Sequence, residues 1–315
     1  MDTKTKPVKY AAAANSSGPV SVSVIILTYN EAHRLRPCLE SVAWADEVIV
    51  VDGGSADSTL DLARQFTPHV YVSDLLGPDR PDGYSDQRNF GLDKATGDWV
   101  FFLDADERIT PELAEEIKSR LLGETEEGQV AYQMRRREYY FGVCTPYTHG
   151  EAWVDRLIRR GDGCWDGRLV HEGLLLQGTM GSLNGYLLHY SKDTVAQYVA
   201  TMNRYTSLEA QEMMRNGSPL PRTPWPRMIH AFLYRYFHLG SYREGAFGLL
   251  MSLMFVFYSY LTWTKHWELC KNAGTIPGES GPARRTALMG WTLGGLWHGF
   301  SRIKARARTL GRASR

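Results

Sequence analysis

One ten-residue stretch, Trp99–Arg108 (WVFFLDADER), limits the folds that this chain can adopt. Its apolar run Val100–Leu103 has the length and bulk of a strand buried on both faces, as in a parallel sheet covered by helices. Asp104 and Asp106 follow, so a chain that stays extended would present both carboxylates on one side at the carboxyl end of the strand. Such a pair suits a divalent cation that keeps sites open for phosphate oxygens; the alternative is a solvated turn before a helix at Pro111.

Residues 20–110 alternate between predicted strands and helices, which indicates a doubly wound α/β fold. The carboxyl ends of parallel strands meet at one edge of a sheet, where open α/β folds bind ligands. The chain has neither a P-loop nor a GxGxxG motif, so the common nucleotide fingerprints are absent. The other predicted strands are Val22–Leu27, Glu47–Val51 and Val70–Val72, the helices are His33–Ala43 and Ser85–Lys94, and the polar side chains gathered at the edge are Tyr29, Asp52, Asp104 and Asp106.

From Val130 onward the sequence changes to shorter stretches of mixed polarity broken by glycines, which predict a small antiparallel or mixed sheet. We expect this half to hold the acceptor. Its segment Trp165–Gly173 concentrates an aromatic ring, two carboxylates and a histidine, and the alternative is a hairpin with an exposed acidic residue. The three stretches are Val130–Tyr140, Glu151–Arg160 and His171–Gln177.

The sequence after position 192 predicts helices. The first runs over Val195–Arg215, with Asp193 or Thr194 as its N-cap. A proline-rich linker over Pro219–Pro226 and a helix over Met228–Leu239 follow.

The next segment, Gly245–Thr264, holds twenty uncharged residues between Glu244 and Lys265, which is long enough to span a bilayer. Aromatic residues near its end favour a membrane interface. Small and polar residues dilute its hydropathy, so we expect a buried or interfacial helix rather than a full span. These residues are Gly248, Ser252, Ser259 and Thr262.

The net charge of +1 conceals an acidic body with a basic tail. Eight basic residues and no acid follow Glu279, which leaves 28 basic against 35 acidic residues before position 280. Tail residues 283–315 combine Trp291 and Trp297 with arginines, which predicts an amphipathic helix for an anionic membrane surface rather than a nucleic-acid partner. Residues 1–20 lack an apolar signal region and are expected to be a disordered leader, and four widely spaced cysteines indicate reduced thiols.

Taken together, four motifs resemble the family 2 glycosyltransferases of GT-A fold. The resemblance covers about residues 21–269 and implies an α/β fold with a mostly parallel doubly wound sheet, a smaller mixed-sheet acceptor half and a helical C-terminal region. Two further motifs look like the branch that adds sugars to the lipopolysaccharide core or similar envelope glycans. The four are Val22–Asn30 (VSVIILTYN), Val50–Ser58 (VVDGGSADS), Arg88-Asn89 with Gly91, and Leu103–Glu107 (LDADE); the two are Val170–Leu174 (VHEGL) and His189–Ser191 (HYS).

The resemblance implies a role for each matching position. Arg88 would pair with the diphosphate, Asp104 would lie near the ribose and the metal, and Asp106 would be the direct ligand of Mn²⁺ or Mg²⁺. The nucleoside would be held by Thr28, Tyr29, Asn30, Asp52 and Asp57, with Asp52 facing the base.

The chain departs from the family pattern in two places. Many members have a second aspartate where this chain has Gly53, so the nucleoside contacts fall on fewer carboxylates. The catalytic base of many members lies in an acidic pair after the metal motif. Here the best match by position is Glu172, Asp166 is the reserve candidate, and His171 could be a further metal or phosphate ligand.

We therefore expect an inverting, metal-dependent hexosyltransferase that moves a sugar from a nucleotide-sugar, expected to be a UDP-sugar, to a hydroxyl of an envelope glycan or glycolipid. The rivals are transfer to a polyprenyl phosphate, which needs no base, and a non-catalytic nucleotide-sugar-binding or membrane-scaffold protein. The expected location is cytoplasmic, peripheral to the inner face of the cytoplasmic membrane. The expected domains are the leader 1–20, a catalytic domain 21–192 with a nucleotide-sugar half 21–110 and an acceptor half 111–192, a helical membrane-proximal region 193–282, and the tail 283–315.

Overall fold

The computed structural model describes residues 20–74, 84–123, 128–166 and 173–276. The strands in these ranges are β1 (Val22–Thr28), β2 (Glu47–Asp52), β3 (Val70–Val72), β4 (Trp99–Asp104), β5 (Glu107–Ile109), β6 (Gln129–Tyr140), β7 (Val143–Cys144), β8 (Glu151–Arg159), β9 (Gly163–Trp165), β10 (Leu174–Leu176) and β11 (Thr179–Lys192). The α-helices are α1 (Ala32–Ser41), α2 (Thr59–Phe66), α3 (Tyr84–Lys94), α4 (Pro111–Leu122), α5 (Val195–Arg215), α6 (Trp225–Leu233) and α7 (Gly245–Asn272).

The strands predicted in the first half form the parallel centre of one large sheet. β1 lies between β2 and β4 and is parallel to both, and β3 pairs with the outer side of β2. Alternate side chains point to opposite faces, and both faces are covered, because α1, α2 and α4 pack on one side and α3 packs on the other. Phe101 and Phe102 on β4 are accordingly 0% exposed on the two faces. This confirms the predicted doubly wound α/β architecture.

The acceptor half is mixed, as expected, but its strands extend the central sheet rather than forming a sheet of their own. β8 pairs antiparallel with β4 and the order continues through β6 and β11 to β5. β9 and β10 form a separate two-stranded sheet. The predicted stretch 171–177 therefore contributes only β10 to the described structure, and the long strand β11 was not predicted.

Helix α3 lies unusually close to the sheet because Gly91 has no side chain. A Cβ atom at this position would lie 2.6 Å from Cγ2 of Ile25 on β1. Real Cβ atoms essentially never come so close to another heavy atom, so a larger residue would require the helix or the Ile25 side chain to shift. The helix starts at Tyr84, one residue before the predicted start, and ends at Lys94 as predicted.

The C-terminal helices begin at a capping box formed by Thr194 and Gln197 at the start of α5. Helix α6 continues into a π-helical turn over Tyr234–His238, and a short 3₁₀ turn over Ser241–Glu244 leads into α7. We call α6, the π-helical turn and α7 the platform. Helix α7 extends to Asn272, eight residues beyond the predicted end.

The extension passes Lys265, the charged residue expected to end the segment. Its Nζ atom donates hydrogen bonds to oxygens of Asn203, Thr206 and Ser207 on α5, at 2.6 to 2.8 Å. The ammonium group is thus satisfied by a neighbouring helix, and α7 continues past it. Cys38, Cys144, Cys164 and Cys270 are free thiols, as expected, whereas the tail 283–315 and nearly all of the leader lie outside the described residues.

Candidate active site

The carboxyl ends of β1, β2 and β4 meet at one edge of the sheet, which we call the catalytic edge. The strand register places Thr28 beside Asp52 and Leu27 beside Asp104. The structure therefore brings together the side chains that the alternating pattern predicted at this edge. Asp106 lies in the turn between β4 and β5.

Asp52 organises the loop that follows β2. Its Oδ1 accepts hydrogen bonds from the backbone N–H groups of Gly54 (2.9 Å) and Ser55 (2.7 Å), and its Oδ2 accepts from the hydroxyl groups of Thr28 (2.8 Å) and Ser55 (2.6 Å). The residue is 0% exposed. Both carboxylate oxygens of Asp52 are thus fully hydrogen-bonded within the protein, and in this conformation Asp52 orders the loop after β2. Its predicted contact with a base stays a prediction.

The loops after β1 and β2 are tied to each other by the other predicted nucleoside residues. Asn30 adopts a left-handed conformation (φ 55°), and its Oδ1 accepts from the N–H of Ala56 at 2.8 Å. Asp57 accepts from the N–H groups of Ala32 (3.3 Å) and Thr59 (3.0 Å). Tyr29 is half-buried at the end of β1. These contacts fix the relative position of two loops on the predicted donor side.

Asp104 is held between two guanidinium groups. Arg88 donates to its Oδ1 at 2.9 Å, and Arg156 of β8 donates to its Oδ2 at 2.8 Å. Burial opposes ionisation of Asp104, but Arg156 and Arg88 hold the pKa of its carboxyl group well below the usual range. Asp104 is therefore ionised and already paired in this structure.

Asp106 has different partners, because β4 ends at Asp104 and the chain turns instead of staying extended. Oδ2 of Asp106 lies 3.2 Å from Nε2 of His189, whose Nδ1 lies 2.7 Å from Oε2 of Glu138. Burial opposes protonation of His189, but its hydrogen bonds to Asp106 and Glu138 raise its pKa to about 10. Arg34 of α1 approaches Oδ2 of Asp106 at 3.6 Å. The condition under which both aspartates would share one side is thus not met.

Behind these carboxylates lies a buried layer of alternating charges centred on Glu107. This residue is 0% exposed, and its Oε1 accepts from Arg156 at 2.7 Å and lies 3.4 Å from Nη1 of Arg136. Arg136 also donates to Oε1 of Glu138 at 2.9 Å. The layer runs from Asp104 to the pair formed by His189 and Glu138, and each of its charges has an opposite partner. Charges can be kept inside a protein only when they are paired in this way.

The donor chemistry of the edge fits a divalent cation at Asp106. A histidine that ligates a metal usually gives its other ring N–H to a carboxylate, and His189 does so with Glu138. On losing the proton that it shares with Asp106, Nε2 of His189 could hold an ion together with a carboxylate oxygen of Asp106, whereas Asp104 is occupied by arginines. Within the described residues no group of three or more His, Cys, Asp or Glu side chains could hold an ion alone, so diphosphate oxygens would complete the coordination.

Of the predicted acceptor residues, Asp166 falls within the described ranges and follows β9. Asn89 of α3 connects to its neighbour Trp165, donating from Nδ2 to the carbonyl oxygen at 3.0 Å and accepting from the backbone N–H at 2.9 Å. The guanidinium carbon of Arg88 lies 4.5 Å from the centre of the Trp165 ring. Asp166 is thus placed next to the residues that flank Asp104. Glu172 and His171 lie outside the described residues.

Sequence reasoning missed several charged residues of the edge. Arg156 alternates with the apolar Val154 and Ile158 along β8, and a charge at such a position is a recognisable signal for a buried ion pair. Glu31 also went unassigned: burial and the charge of Asp106 raise the pKa of its carboxyl to about 7, and its Oε2 has no hydrogen-bond partner among the described residues. The residues missed are Glu31, Arg34, Glu107, Arg136, Glu138, Arg156 and His189.

Comparison with known proteins gives a family match, two relatives and one solved structure. A family model described as "Glycosyl transferase family 2" matches residues 23–171. The "Lipopolysaccharide core biosynthesis glycosyltransferase LpsC" of Rhizobium meliloti (strain 1021) is 31% identical over 255 residues, which cover 78% of this chain and 92% of the relative. The "PGL/p-HBAD biosynthesis glycosyltransferase" of Mycobacterium tuberculosis (strain ATCC 25177 / H37Ra) is 33% identical over 169 residues, or 51% and 62% of the two chains. A solved structure, the mannosyltransferase PcManGT from Pyrobaculum calidifontis in complex with GDP-Man and Mn²⁺, is 18% identical, covers 83% of this chain and 78% of its own, and has a TM-score of 0.41.

Proposed function

The chain belongs to glycosyltransferase family 2, and we propose that it transfers a sugar from a nucleotide-sugar to a hydroxyl of an envelope glycan or glycolipid such as the lipopolysaccharide core. The observation that carries the acceptor class is the 31% identity with a lipopolysaccharide core glycosyltransferase over 92% of that relative. The match reaches beyond the 149 residues of the family model, into the half of the chain that we assign to the acceptor.

The donor site of this proposal lies at the catalytic edge. The loops after β1 and β2 are cross-linked around Asn30 and Asp57 and form one wall. Arg88 and Arg156 provide the positive charge that a diphosphate needs, and Asp104 sets the direction in which both guanidinium groups point. A UDP-sugar is the proposed donor.

Asp106 and His189 would hold Mn²⁺ or Mg²⁺ against the diphosphate. When bound, the ion supplies Lewis-acid stabilisation of the charge that develops on the leaving group. The protein's own contribution is to orient the ligands: Glu138 holds the His189 ring through Nδ1, and Arg136 in turn holds Glu138. The role of Asp104 as a metal contact is kept only as a secondary proposal because its oxygens are paired with arginines.

The proposed transfer inverts the anomeric carbon in one displacement. The acceptor hydroxyl oxygen forms a bond to that carbon while the bond to the diphosphate oxygen breaks, and a carboxylate takes the hydroxyl proton. Glu172 is the proposed base, with Asp166 in reserve. Such a base is worth roughly 10²–10⁴-fold in rate, so Glu172→Gln should bind donor but transfer poorly. An active Glu172→Gln together with an inactive Asp166→Asn would move the base to Asp166.

The proposed location is the cytoplasmic side of the membrane, with peripheral attachment. Within the described residues, one helical stretch, Ser241–Asn272, is long and apolar enough to cross a membrane by length and composition. The basic tail 283–315 is proposed as a contact with anionic lipid on the basis of its sequence alone.

The experiment that tests the proposed function is a panel of nucleotide-sugars scored by release of nucleoside diphosphate, with and without envelope glycolipid extract and with and without Mn²⁺. The proposal expects release from one donor that requires both the extract and the ion. Release that requires a polyprenyl phosphate and survives in Glu172→Gln would favour the polyprenyl alternative. Donor binding with no turnover on any acceptor would favour a non-catalytic binding protein.

A further inference from the structure

The platform presents apolar side chains to the outside along two neighbouring helices. On α6 and the π-helical turn the exposed residues recur every four positions, which places them in one stripe. Helix α7 packs against α6 and carries a second exposed stripe. We call the two stripes the apolar platform face; its members are Trp225, Ile229, Leu233, Phe237, Leu249, Leu250, Leu253, Phe257 and Tyr260, each between 39% and 60% exposed.

The inner side of the same helices carries polar and charged groups beside the buried side chains of Met251 and Cys270. Arg227 pairs with Glu209 of α5 at 2.9 Å, and Arg235 donates to the carbonyl oxygen of Thr148 at 2.9 Å while its guanidinium group lies on the Phe255 ring. Ser252 and Thr262 of α7 are 0% exposed. A helix on the surface of a soluble protein carries its apolar side inward. The platform differs because it also exposes large apolar side chains on its outer side, as expected where the outside is lipid.

Helix α7 is nevertheless bound to the protein along its C-terminal half. Lys265 donates to Asn203, Thr206 and Ser207 of α5, and the hydroxyl of Thr262 donates to Oε2 of Glu209 at 3.2 Å. Crossing a bilayer would carry this polar interface with α5 into hydrocarbon. The geometry therefore favours a helix that lies along a membrane surface.

The positive charge near the platform indicates which kind of surface the apolar platform face would contact. Residues 213–243 contain five arginines and no acidic residue. Arg215, Arg222 and Arg243, at the helix ends, are exposed. A second copy of this chain would bring the same exposed arginines against these ones. The tail, with eight basic residues after Glu279, is also positively charged. Both are disfavoured as occupants by like-charge repulsion, whereas anionic lipid headgroups are complementary.

We propose that the apolar platform face docks in the plane of an anionic phospholipid bilayer, with its aromatic and aliphatic side chains in the interface and its arginines at the headgroups. Trp225 and Tyr260 suit the boundary between headgroups and acyl chains. The docking itself does not depend on the proposed sugar transfer.

The platform is also fixed to the catalytic half, so docking orients the active site. Glu244 accepts from the backbone N–H groups of Tyr147 (2.8 Å) and Thr148 (3.0 Å). The same loop contacts β6, because Thr145 donates its backbone N–H to the carbonyl of Glu138 at 2.9 Å. Glu138 holds His189 beside Asp106. Resting on the proposed function, this continuity means that a lipid-anchored acceptor would be presented to the catalytic edge from the docked side.

Vesicle flotation of the full chain tests the docking. The first variant, Ile229→Gln with Leu253→Gln, changes one exposed residue in each stripe; the matched control, Phe66→Gln with Leu122→Gln, changes exposed apolar residues of α2 and α4. With vesicles that contain phosphatidylglycerol, we expect the platform variant to bind at least about tenfold more weakly. The control should bind as the parent does. Circular dichroism and thermal melting verify that both variants fold.

A second variant pair tests the lipid charge. Arg215→Gln with Arg222→Gln should weaken binding to phosphatidylglycerol vesicles by about tenfold and leave weak binding to phosphatidylcholine vesicles unchanged. Asp106→Ala should float as the parent does, which separates docking from sugar transfer. Parental vesicle binding by the platform variant would overturn the proposal. Loss of a dimer in sedimentation with vesicle binding unchanged would also overturn it and assign the face to a second copy.

Discussion

The catalytic edge and the platform place their apolar and charged side chains in opposite ways. In the sheet, Phe101 and Phe102 are 0% exposed and charged groups line the opening at the strand ends. In the platform, Ile229 and Leu253 are at least 50% exposed while Arg227 and Arg235 face inward. Exposure of apolar surface is thus a property of one region and not of the whole fold. The proposed neighbours of the two regions differ accordingly: a charged ligand at the edge and an apolar phase at the platform.

The contrast between the two regions would fail most severely if the catalytic edge were not the site of the reaction. Asp106→Ala should lower turnover at least about 10³-fold, because it removes the carboxylate that would hold the ion together with Nε2 of His189. The fold should stay intact, which thermal melting checks, because Glu138 and Arg136 continue to hold His189 in place. Nucleoside diphosphate release measures the effect. The control is Asp61→Ala, at an exposed site on α2, and near-parental turnover by Asp106→Ala would remove the assignment.

A second test concerns the buried charges behind the edge. Arg156→Met should destabilise the protein by about 3–5 kcal/mol, because it leaves Glu107, which is 0% exposed, and Asp104 without their shared partner. Arg159→Met, three residues further along β8, removes a pair in which the arginine is 41% exposed and should cost less than about 1 kcal/mol. Urea unfolding compares the two. Equal effects would mean that the layer is no different from surface pairing.

A third test contrasts the two sides of α7. Met251→Ala should cost about 2–3 kcal/mol, since the side chain is 0% exposed, whereas Leu253→Ala should cost less than about 1 kcal/mol in the absence of lipid. The pair differs by two positions on one helix, so helix propensity is matched. Urea unfolding without vesicles provides the measurement. A large cost for Leu253→Ala would show that the outer stripe is covered in solution.

The smallest effect concerns the joint between the regions. Burial and the charge of Arg235 lower the pKa of His149 to about 3. The unfolded chain then binds a proton that the folded chain rejects, so stability should fall as the pH drops below about 6.5, with about 2 kcal/mol lost from this group by pH 5. His149→Phe should flatten that decline in urea unfolding at several pH values. His238→Phe, at an exposed site, is the control, and equal slopes in parent and His149→Phe would contradict the prediction.

The sequence predicted the sheet and its edge well, and the physical reason is local. Apolar runs such as Val22–Leu27 and Val100–Leu103 predict buried strands by themselves, and parallel order then places Asp52 and Asp104 together. The partners of those carboxylates could not be predicted in the same way. Arg156 reaches Asp104 from 52 positions away and His189 reaches Asp106 from 83, so both contacts depend on how β8 and β11 join the sheet.

The end of α7 shows the same limit in the helical region. The charge at Lys265 predicts that the apolar segment ends near Thr264. The sequence pattern cannot show that the Lys265 ammonium group donates hydrogen bonds to Asn203 and Ser207 of another helix. The apolar platform face was likewise visible only as composition. Which side of each helix faces outward depends on tertiary contacts such as the Arg235 bond to Thr148.

The close approach of α3 to the sheet limits how far Arg88 can lie from the end of β4 in the proposed donor pocket. Gly91 is one turn of helix beyond Arg88, and a larger residue there would require the Ile25 side chain or the helix to shift. A shift of the helix would carry Arg88 outward and open its 2.9 Å bond to Asp104. The absence of a single methyl group at Gly91 therefore contributes to setting the distance between the end of β4 and Arg88, the arginine proposed to bind the diphosphate.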